Sequence, residues 1–333
     1  MNLTIPHKNA APIMKFPVYV LGRDVAVLEQ AAGLDSVLTY HAGTAPGDFV
    51  SLTLPVRTEP YVLDEGVYWP LLGGSTPGRV QVAARTRGDE PAPAPQPPFA
   101  ALNQHLCLQV AQRVMLTAHT ELSSDGEILT VRRFDLDAQG QPQWGVEDFG
   151  VLLGQRDASW EHIAQAVRDH VPGSRRGEVF RHLATRLLLS YALRNARCHA
   201  AVLALRYTSR ADVQAAPAHG LLTTRVYADM ADDLPALAFM GKKTWTPGRN
   251  LQKFIATAFG IAPKEQALMA EAVCDAVADV APQVRAAMNQ HPAFSDTGRG
   301  MLAAWAEGVA GLRDKHVYAL GAWEAGAAFA GNP

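Results

Sequence analysis

Residues 187–202, LLLSYALRNARCHAAV, change from a continuous apolar run into a short polar loop. The apolar run extends back to residue 178 and predicts a long buried helix over residues 178–193. A β-rich run follows the loop and predicts a strand over residues 202–207. The order is therefore helix, polar loop and strand, with Asn195, Arg197 and His199 in the loop.

Outward from this stretch, the pattern of apolar residues differs between the two halves of the chain. The first 85 residues alternate with a period of two, which is typical of strands. Valines alternate over residues 16–30 around the turn residues Gly22, Arg23 and Asp24, so we expect a hairpin there. Further strands are predicted over residues 48–56, 79–85, 118–122 and 128–134, with residues 123–126 as a turn, and an extended segment over residues 221–226. Helices are predicted from Leu102 to Val114, from the cap Ser159 to Asp169, and over residues 247–260, 263–290 and 297–313.

A proline- and alanine-rich segment, residues 88–98, GDEPAPAPQPP, marks the clearest boundary because proline excludes a helix there. The patterning changes from period two to period 3.6 near residue 150. We therefore predict an α+β fold in two lobes. The predicted parts are a β-rich subdomain at 16–87, the linker 88–98, the rest of a small lobe at 99–150, and a helical lobe at 151–320.

The composition is that of a folded protein without an obvious charged partner. The chain has 333 residues, of which 48% are hydrophobic and 19% charged, so it can bury a core. Its net charge of −2 gives no general attraction to nucleic acid or to anionic membranes. Apolar runs are shorter than the roughly 18 residues of a membrane span, and the N-terminal residues do not resemble a signal peptide. We therefore expect a cytoplasmic protein.

General motif chemistry does not identify an activity. The three cysteines, Cys107, Cys198 and Cys274, are far apart and form no CxxC pair, which argues against zinc sites and disulfides. The common hydrolase, metalloprotease and nucleotide-binding motifs are absent. The histidines lack an i, i+4 carboxylate partner, so we interpret them as solvated or internally satisfied groups.

Seven segments, taken in order, resemble the HipA family of bacterial toxin kinases, whose fold is an elaborated protein-kinase fold. The resemblance covers most of the chain, although no single segment is specific. The segments are VYVLGRDVAVL from Val18 together with SLTLP from Ser51, NQHLCLQVA from Asn103, VRRFD from Val131, EDF from Glu147, LLLSYALRNARCH ending at His199, APAHGLLT from Ala216, and FMGKK from Phe239.

The departures from the family pattern remove the groups that phosphoryl transfer needs. The family loop reads Asn-x-Asp-x-His-x-x-Asn, in which the Asp is the base and the last Asn is a magnesium ligand. Here the resemblance places Arg197 at the base and Val202 at the ligand position, and a guanidinium is not a base while a valine has no oxygen. The family's metal-holding Tyr-Asp corresponds to His219 and Gly220.

The positions that the resemblance assigns to the nucleotide have also changed. The family's phosphate-binding lysine has no counterpart, because the corresponding stretch is shortened to residues 89–98, which contain no lysine. At the hinge, Arg132 replaces a glutamate, whereas Arg133, Phe134 and Asp135 are kept as a remnant. Gln104 replaces the glutamate of the family's Asn-Glu pair. We therefore expect no intact catalytic residue and no metal site, and we predict that Phe134 and Asp135 face the loop 195–202.

The sequence thus favours a HipA-like pseudokinase that acts by binding a protein in a toxin–antitoxin-type or regulatory system, with no cofactor. One alternative is a divergent active serine/threonine kinase that would use ATP and magnesium, with Glu147, Asp148 or Asp212 in unassigned roles. A second is a metal-independent sensor of a nucleotide or a phosphopeptide, in which Arg197 or Arg132 would contact the phosphates. An unrelated α+β fold is a third.

The resemblance also implies a partner, because toxin kinases of this family pair with a small helix-turn-helix repressor. Direct nucleic-acid binding and membrane binding are not expected. A basic cluster could face DNA or an acidic partner, although a solvated helix face is the interpretation we favour, since Asp169 and Glu178 interrupt the charge. The members of the cluster are Arg175, Arg176, Arg181, Arg186, Arg194 and Arg197.

Overall fold

The structure is a computed structural model that describes residues 13–30, 36–63, 79–82, 96–154, 158–230, 232–245, 249–314, 316–318, 320, 323 and 329. These residues group into two compact units. The first is drawn from Met1–Pro91 and Asp135–Glu147, and the second from Ala92–Phe134 and Asp148–Pro333. Residues 96–134 therefore belong to the helical unit. The finer division into four segments stays a prediction.

The first unit is built on a five-stranded sheet with the order β4-β3-β2-β1-β5, in which every neighbouring pair is antiparallel. The predicted hairpin over residues 16–30 is confirmed, although its turn is Leu21 and Gly22, and Arg23 already opens the second strand. Gly22 has a φ of 77°, a conformation that glycine adopts without strain. The strands are β1 Met14–Val20, β2 Arg23–Gln30, β3 Ser36–Tyr40, β4 Tyr61–Leu63 and β5 Val80–Val82.

The core of this unit lies on one face of the sheet, because inward residues alternate along the strands. Val18, Val20, Leu28 and Leu38 are among its buried members. The strand predicted over residues 48–56 is wrong, since Ser51 and Leu54 bridge each other in a tight turn. Its alternation reflects burial of both Val50 and Leu54 in the core, which a turn achieves as well as a strand.

Two polar side chains hold that turn in place. The Tyr40 hydroxyl accepts a hydrogen bond from the Val50 N–H at 2.8 Å and donates to the Leu54 carbonyl at 2.5 Å. The Glu147 carboxylate accepts from the Ser51 hydroxyl at 2.8 Å and from the Leu52 N–H at 2.9 Å. Glu147 is almost fully buried, so these bonds compensate for its desolvation.

The second unit contains the seven α-helices of the described residues, and each helix predicted from the sequence is confirmed within a few residues, except that α4 starts five residues earlier than predicted. The Ser159 cap is also confirmed, because its hydroxyl accepts from the His162 N–H. The helices are α1 Ala100–Ala111, α2 Phe149–Leu153, α3 Trp160–His170, α4 Gly173–Leu193, α5 Arg249–Phe259, α6 Pro263–Gln290 and α7 Ser295–Arg313.

Short strands connect these helices. Four of them are β6 Thr120–Leu122, β7 Leu129–Val131, β9 Ala204–Ser209 and β10 Asp212–Ala215. The remaining strand, β8 Gly145–Asp148, runs over the boundary between the units in the chain, with residues 145–147 in the first unit. β6 pairs with β7 and β9 with β10, both antiparallel, so the predicted hairpin around residues 123–126 is confirmed. The extended segment predicted over residues 221–226 ends instead in a 3-10 turn at Thr224–Val226. The mixed α+β class predicted from the sequence is confirmed.

Helices α4 and α7 approach so closely that glycine is required between them. A Cβ atom on Gly308 would lie 2.2 Å from the Ala192 carbonyl oxygen and 2.8 Å from that of Tyr191. Because both neighbours are backbone atoms of the end of α4, neither can move without displacing the helix. Within the described ranges, no helix combines the length and the apolar content that a membrane span requires.

Gly308→Ala should therefore destabilise the protein by about 3 kcal/mol, since the added methyl group forces α7 away from α4. Gly177→Ala is the matched control, because Gly177 is exposed on α4 and alanine has the higher helix propensity. This control should stabilise by about 0.5–1 kcal/mol. Urea unfolding of both variants measures the difference, and equal effects would contradict the close contact.

Candidate functional site

Asn103 on α1 fixes the end of the stretch that the resemblance aligns with the family's metal-binding segment. Its side-chain amide donates to the Thr223 carbonyl at 3.0 Å and to the Tyr227 hydroxyl at 3.0 Å, and its oxygen accepts from the Thr223 N–H at 2.9 Å. The side chain thus satisfies both backbone groups of a buried residue, as a strand neighbour would. The Trp305 indole N–H donates to the Thr223 hydroxyl at 2.7 Å, which adds α7 to this contact.

The loop 195–202 is attached to the same segment one residue later. Helix α4 ends at Leu193, and the left-handed conformation of the next residue, Arg194 (φ 54°), turns the chain into the loop. The Thr224 hydroxyl donates to the Arg194 carbonyl at 2.8 Å and accepts from the Ala196 N–H at 2.8 Å. The buried Arg194 guanidinium pairs with Glu307 at 3.0 Å and with Asp233 at 3.5 Å. The start of the loop is therefore fixed on several sides.

The fold brings together the two positions that the resemblance assigns to magnesium ligands. Val202 Cγ1 lies 3.7 Å from the place where a Cβ atom of Gly220 would stand. The segment of Gly220 is held by Ala218, which exchanges backbone hydrogen bonds of 2.9 Å with Leu116 and Ala118. An apolar methyl group and a glycine face each other at this point, and neither side chain offers an oxygen. The residues do not fit magnesium.

The described residues likewise contain no group of three or more histidine, cysteine, aspartate or glutamate side chains placed to share a metal ion. The three carboxylates that an active enzyme could have used serve other contacts. Glu147 holds the turn at Ser51. Asp148 caps α2 by accepting from the Val151 N–H at 2.9 Å, and Asp212 accepts from Thr208 and Gln214 at 2.8 and 2.9 Å.

Within the loop 195–202, one polar side chain is exposed to solvent and another lines a small cavity. Arg197 is exposed and its guanidinium has no partner among the described residues, and His199 is half-buried. Asn195 is fully buried, and neither atom of its amide group has a hydrogen-bond partner in the described structure. Asn195, Cys198 and the equally unpartnered hydroxyl of Ser190 line a cavity of about 10 Å³, about the space of one water molecule.

The structure gives contacts for part of the hinge remnant, which consists of Arg133, Phe134 and Asp135. The Phe134 ring lies against His219, with 5.6 Å between ring centroids, so it contacts the same segment as Val202. Arg133 is half-buried. The Asp135 carbonyl accepts from the N–H groups of Gln143 and Trp144 at 2.9 and 3.0 Å within the first unit. Whether Asp135 faces the loop stays a prediction.

The basic cluster is not a continuous solvated face. Arg186 and Arg194 are buried, which corrects the interpretation of the whole cluster as exposed. Arg175 pairs with Glu178, and Arg181 pairs with Glu265. Arg176 donates to the carbonyl of Arg168 in α3 and to that of Val171, the residue that follows α3. Most of these charges therefore already have partners within the second unit.

Sequence reasoning counted Arg186 as a member of the basic cluster but missed its contacts with a distant segment. Its Nη2 donates to the His219 carbonyl at 2.8 Å and more weakly to the Gly220 carbonyl at 3.4 Å. These are the two residues that the resemblance aligns with the family's metal-holding pair. His182, one turn earlier on α4, has its pKa lowered to about 4, first by burial and then by the charges of Arg186 and Arg206. The positions 182, 186 and 190 recur at intervals of four, a spacing that was visible in the sequence as a polar stripe on an apolar helix.

The comparison with solved structures supports a fold assignment. The chain is similar to a chain in the complex of HipA, HipB and operator DNA from a Shewanella oneidensis MR-1 toxin–antitoxin system, with a TM-score of 0.51 and 11% identity. The alignment covers 92% of this chain and 100% of that one. The chain has a HipA-like fold. No family model matches it, and no curated protein matches it either.

Asn103→Ala should destabilise this HipA-like protein by about 2–3 kcal/mol, because the backbone N–H and carbonyl of Thr223 lose their partner while staying buried. Gln104→Ala is the control on the same helix, since the half-buried side chain of Gln104 forms no hydrogen bond within the described part of the chain. We expect that control to change stability by less than about 1 kcal/mol. Urea unfolding checks both, and a cost shared equally by the two variants would show that the contact is unimportant.

The neutral state of His182 predicts a pH dependence. The folded pKa lies below that of a free histidine, so between pH 6.5 and about 4 the unfolded chain binds a proton that the folded chain does not. Stability should fall as the pH drops through this window, and His182→Gln should reduce the fall between pH 7 and pH 5 by roughly 1–2 kcal/mol. His119→Gln, at an exposed histidine, is the control. Denaturant unfolding at both pH values gives the comparison.

Proposed function

We propose that this HipA-like chain transfers no phosphate and acts by binding a protein partner. The observation that supports the proposal is that Val202 lies beside Gly220, with Val202 Cγ1 3.7 Å from the place where a Cβ atom of Gly220 would stand. The resemblance assigns these two positions to metal ligands, and neither side chain carries an oxygen atom. Without a divalent ion, the charge of a triphosphate at a buried site is not compensated.

The base position supports the same proposal. A base must accept a proton from the attacking hydroxyl, and the always-protonated guanidinium of Arg197 does not. The other candidates are engaged elsewhere, since Glu147, Asp148 and Asp212 each accept hydrogen bonds within their own surroundings. The active-kinase alternative therefore lacks a base as well as metal ligands among the described residues.

The partner is proposed by analogy with the solved complex, in which HipA is found with HipB and operator DNA. We propose a small helix-turn-helix repressor of this kind, with the repressor rather than this chain contacting DNA. The net charge of −2 supports this division, because it provides no general attraction to the phosphate backbone. Localisation in the cytoplasm stays a prediction that goes with such a partner.

ATP turnover tests the first part of the proposal. We expect no phosphate release and no autophosphorylation with magnesium or manganese, and no magnesium-dependent rise in melting temperature with ATP. Turnover that stops when EDTA is added would contradict the proposal and favour the active-kinase alternative.

The double variant Val202→Asn/Gly220→Asp is the matched control, because it returns oxygen ligands to both positions. A Cβ atom on Gly220 meets Val202 only at an ordinary contact distance of 3.7 Å, and aspartate tolerates the left-handed conformation there better than most residues. We expect this variant to gain a magnesium-dependent shift that the natural chain lacks.

The second part is tested by coexpression of the chain with the product of its neighbouring gene, followed by size-exclusion chromatography. A stable complex with a small helix-turn-helix protein is expected. A chain that stays alone, while that protein binds DNA normally, would overturn the proposed partner.

The metal-independent sensor is a second candidate, favoured by one observation. The Arg197 guanidinium is exposed in the loop 195–202 and has no partner among the described residues, so it could contact a phosphate group. A melting-temperature shift with ATP that persists in EDTA, and that Arg197→Ala abolishes, would support this candidate over the first.

A further inference from the structure

Arg186 is a buried cation with most of its hydrogen-bonding capacity unused. The residue is 1% exposed. One nitrogen, Nη2, donates to the carbonyls of His219 and Gly220, whereas Nε and Nη1 have no acceptor among the described residues. Three of the five N–H donors of the guanidinium are therefore unsatisfied. Buried donors are rarely left in this state unless an ion or a water occupies the site.

The charge of Arg186 is also unbalanced. No carboxylate in the described part of the chain forms an ion pair with it, whereas Arg194, two turns later on the same helix, has both Asp233 and Glu307. An arginine does not lose its proton on burial, so the positive charge persists. A buried charge without a counter-charge is strongly unfavourable, which makes a bound anion the physical remedy.

The titratable groups close to Arg186, on its own helix and on other elements, are neutral, and a second arginine close to His182 is positive. His182 on α4 and His219 beyond β10 both have their pKa lowered, first by burial, and Arg186 contributes to each shift. The pKa of the Cys107 thiol on α1 is raised to about 12 by burial. Arg206 on β9 is also positive, and it has Asp212 and Glu178 as its acidic neighbours. An acid that would compensate Arg186 is missing from this set.

We propose that Arg186 is the centre of an anion site that holds a phosphate-type oxyanion without a metal ion. A planar guanidinium with free N–H groups matches the oxygens of such a group, and a water molecule would satisfy the donors but not the charge. The N–H groups of Arg186 are the donors that the anion would use, because the His219 Nδ1–H already donates to the Pro217 carbonyl at 3.2 Å. The site does not depend on the proposed protein partner or on Arg197.

The oxyanion could come from free phosphate or from the phosphates of a nucleotide, and the experiment separates these sources. The intact chain is titrated in EDTA with inorganic phosphate, with ATP, and with sodium chloride at matched ionic strength, while its melting temperature is recorded. Broadening of the ³¹P resonance of inorganic phosphate gives an independent measure of binding.

Two variants make the test specific to Arg186. Arg186→Gln removes the buried charge. The control Arg181→Gln removes an exposed arginine of the same helix, α4, which pairs with Glu265 of α6. If Arg186→Gln does not fold, Arg186→Lys replaces it, because lysine keeps the charge but loses the planar donor geometry. The Arg186 substitutions change the hydrogen bond to the Gly220 carbonyl, so the test reads phosphate binding in EDTA, which is a separate measurement from the ATP-turnover experiment.

We expect the melting temperature of the natural chain to rise with phosphate and to saturate, with the apparent Kd at least tenfold weaker in the Arg186 variant and unchanged in Arg181→Gln. A response to phosphate alone identifies free phosphate as the source, and a tighter response to ATP identifies a nucleotide. Three results would overturn the proposal. They are a rise in melting temperature with chloride equal to that with phosphate, no change with phosphate in either the melting temperature or the width of the ³¹P resonance, and a response of the Arg186 variant equal to that of the natural chain.

Discussion

The paired hydrogen bonds between Asn103 and Thr223 connect positions that are 120 residues apart, and much of the second unit depends on them. Asn103 and Thr223 are both fully buried, so their polar groups would be costly if they were left unpaired. Because Thr223 is fixed, Thr224 can hold Arg194 and Ala196 at the end of α4. The shape of the loop 195–202 thus follows from an interaction made outside it.

This arrangement separates the geometry of the site from its chemistry. The atoms that position the loop are backbone groups and the side chains of Asn103, Thr223 and Thr224, and none of them belongs to the set that carries phosphoryl transfer in the resemblance. Arg197, Val202 and Gly220 therefore do not determine the local fold. A HipA-like fold at 11% identity fits this separation, because the fold and the chemistry of a site rest on different residues.

The sequence predicted the helices better than the site, for physical reasons. Helix boundaries depend on local signals, such as the Ser159 cap and the apolar periodicity of α6, which a sequence shows directly. The turn at Ser51 was mistaken for a strand because burial of Val50 and Leu54 produces the same alternation. Arg186 was grouped with exposed arginines because charge alone does not show burial, which depends on contacts with the distant residues His219 and Gly220.

The contact between Arg186 and the segment of His219 and Gly220 shows how carbonyl groups in a buried segment find a donor within the protein. Buried carbonyls carry negative dipoles that must be hydrogen-bonded, hydrated or placed near a cation. Arg186 supplies a cation to the carbonyls of His219 and Gly220 from within the protein. A guanidinium held at two carbonyls supplies both hydrogen bonds and positive charge to them. Because this charge is part of the chain, it is always present beside the segment, and its Nε and Nη1 groups are left without an acceptor among the described residues.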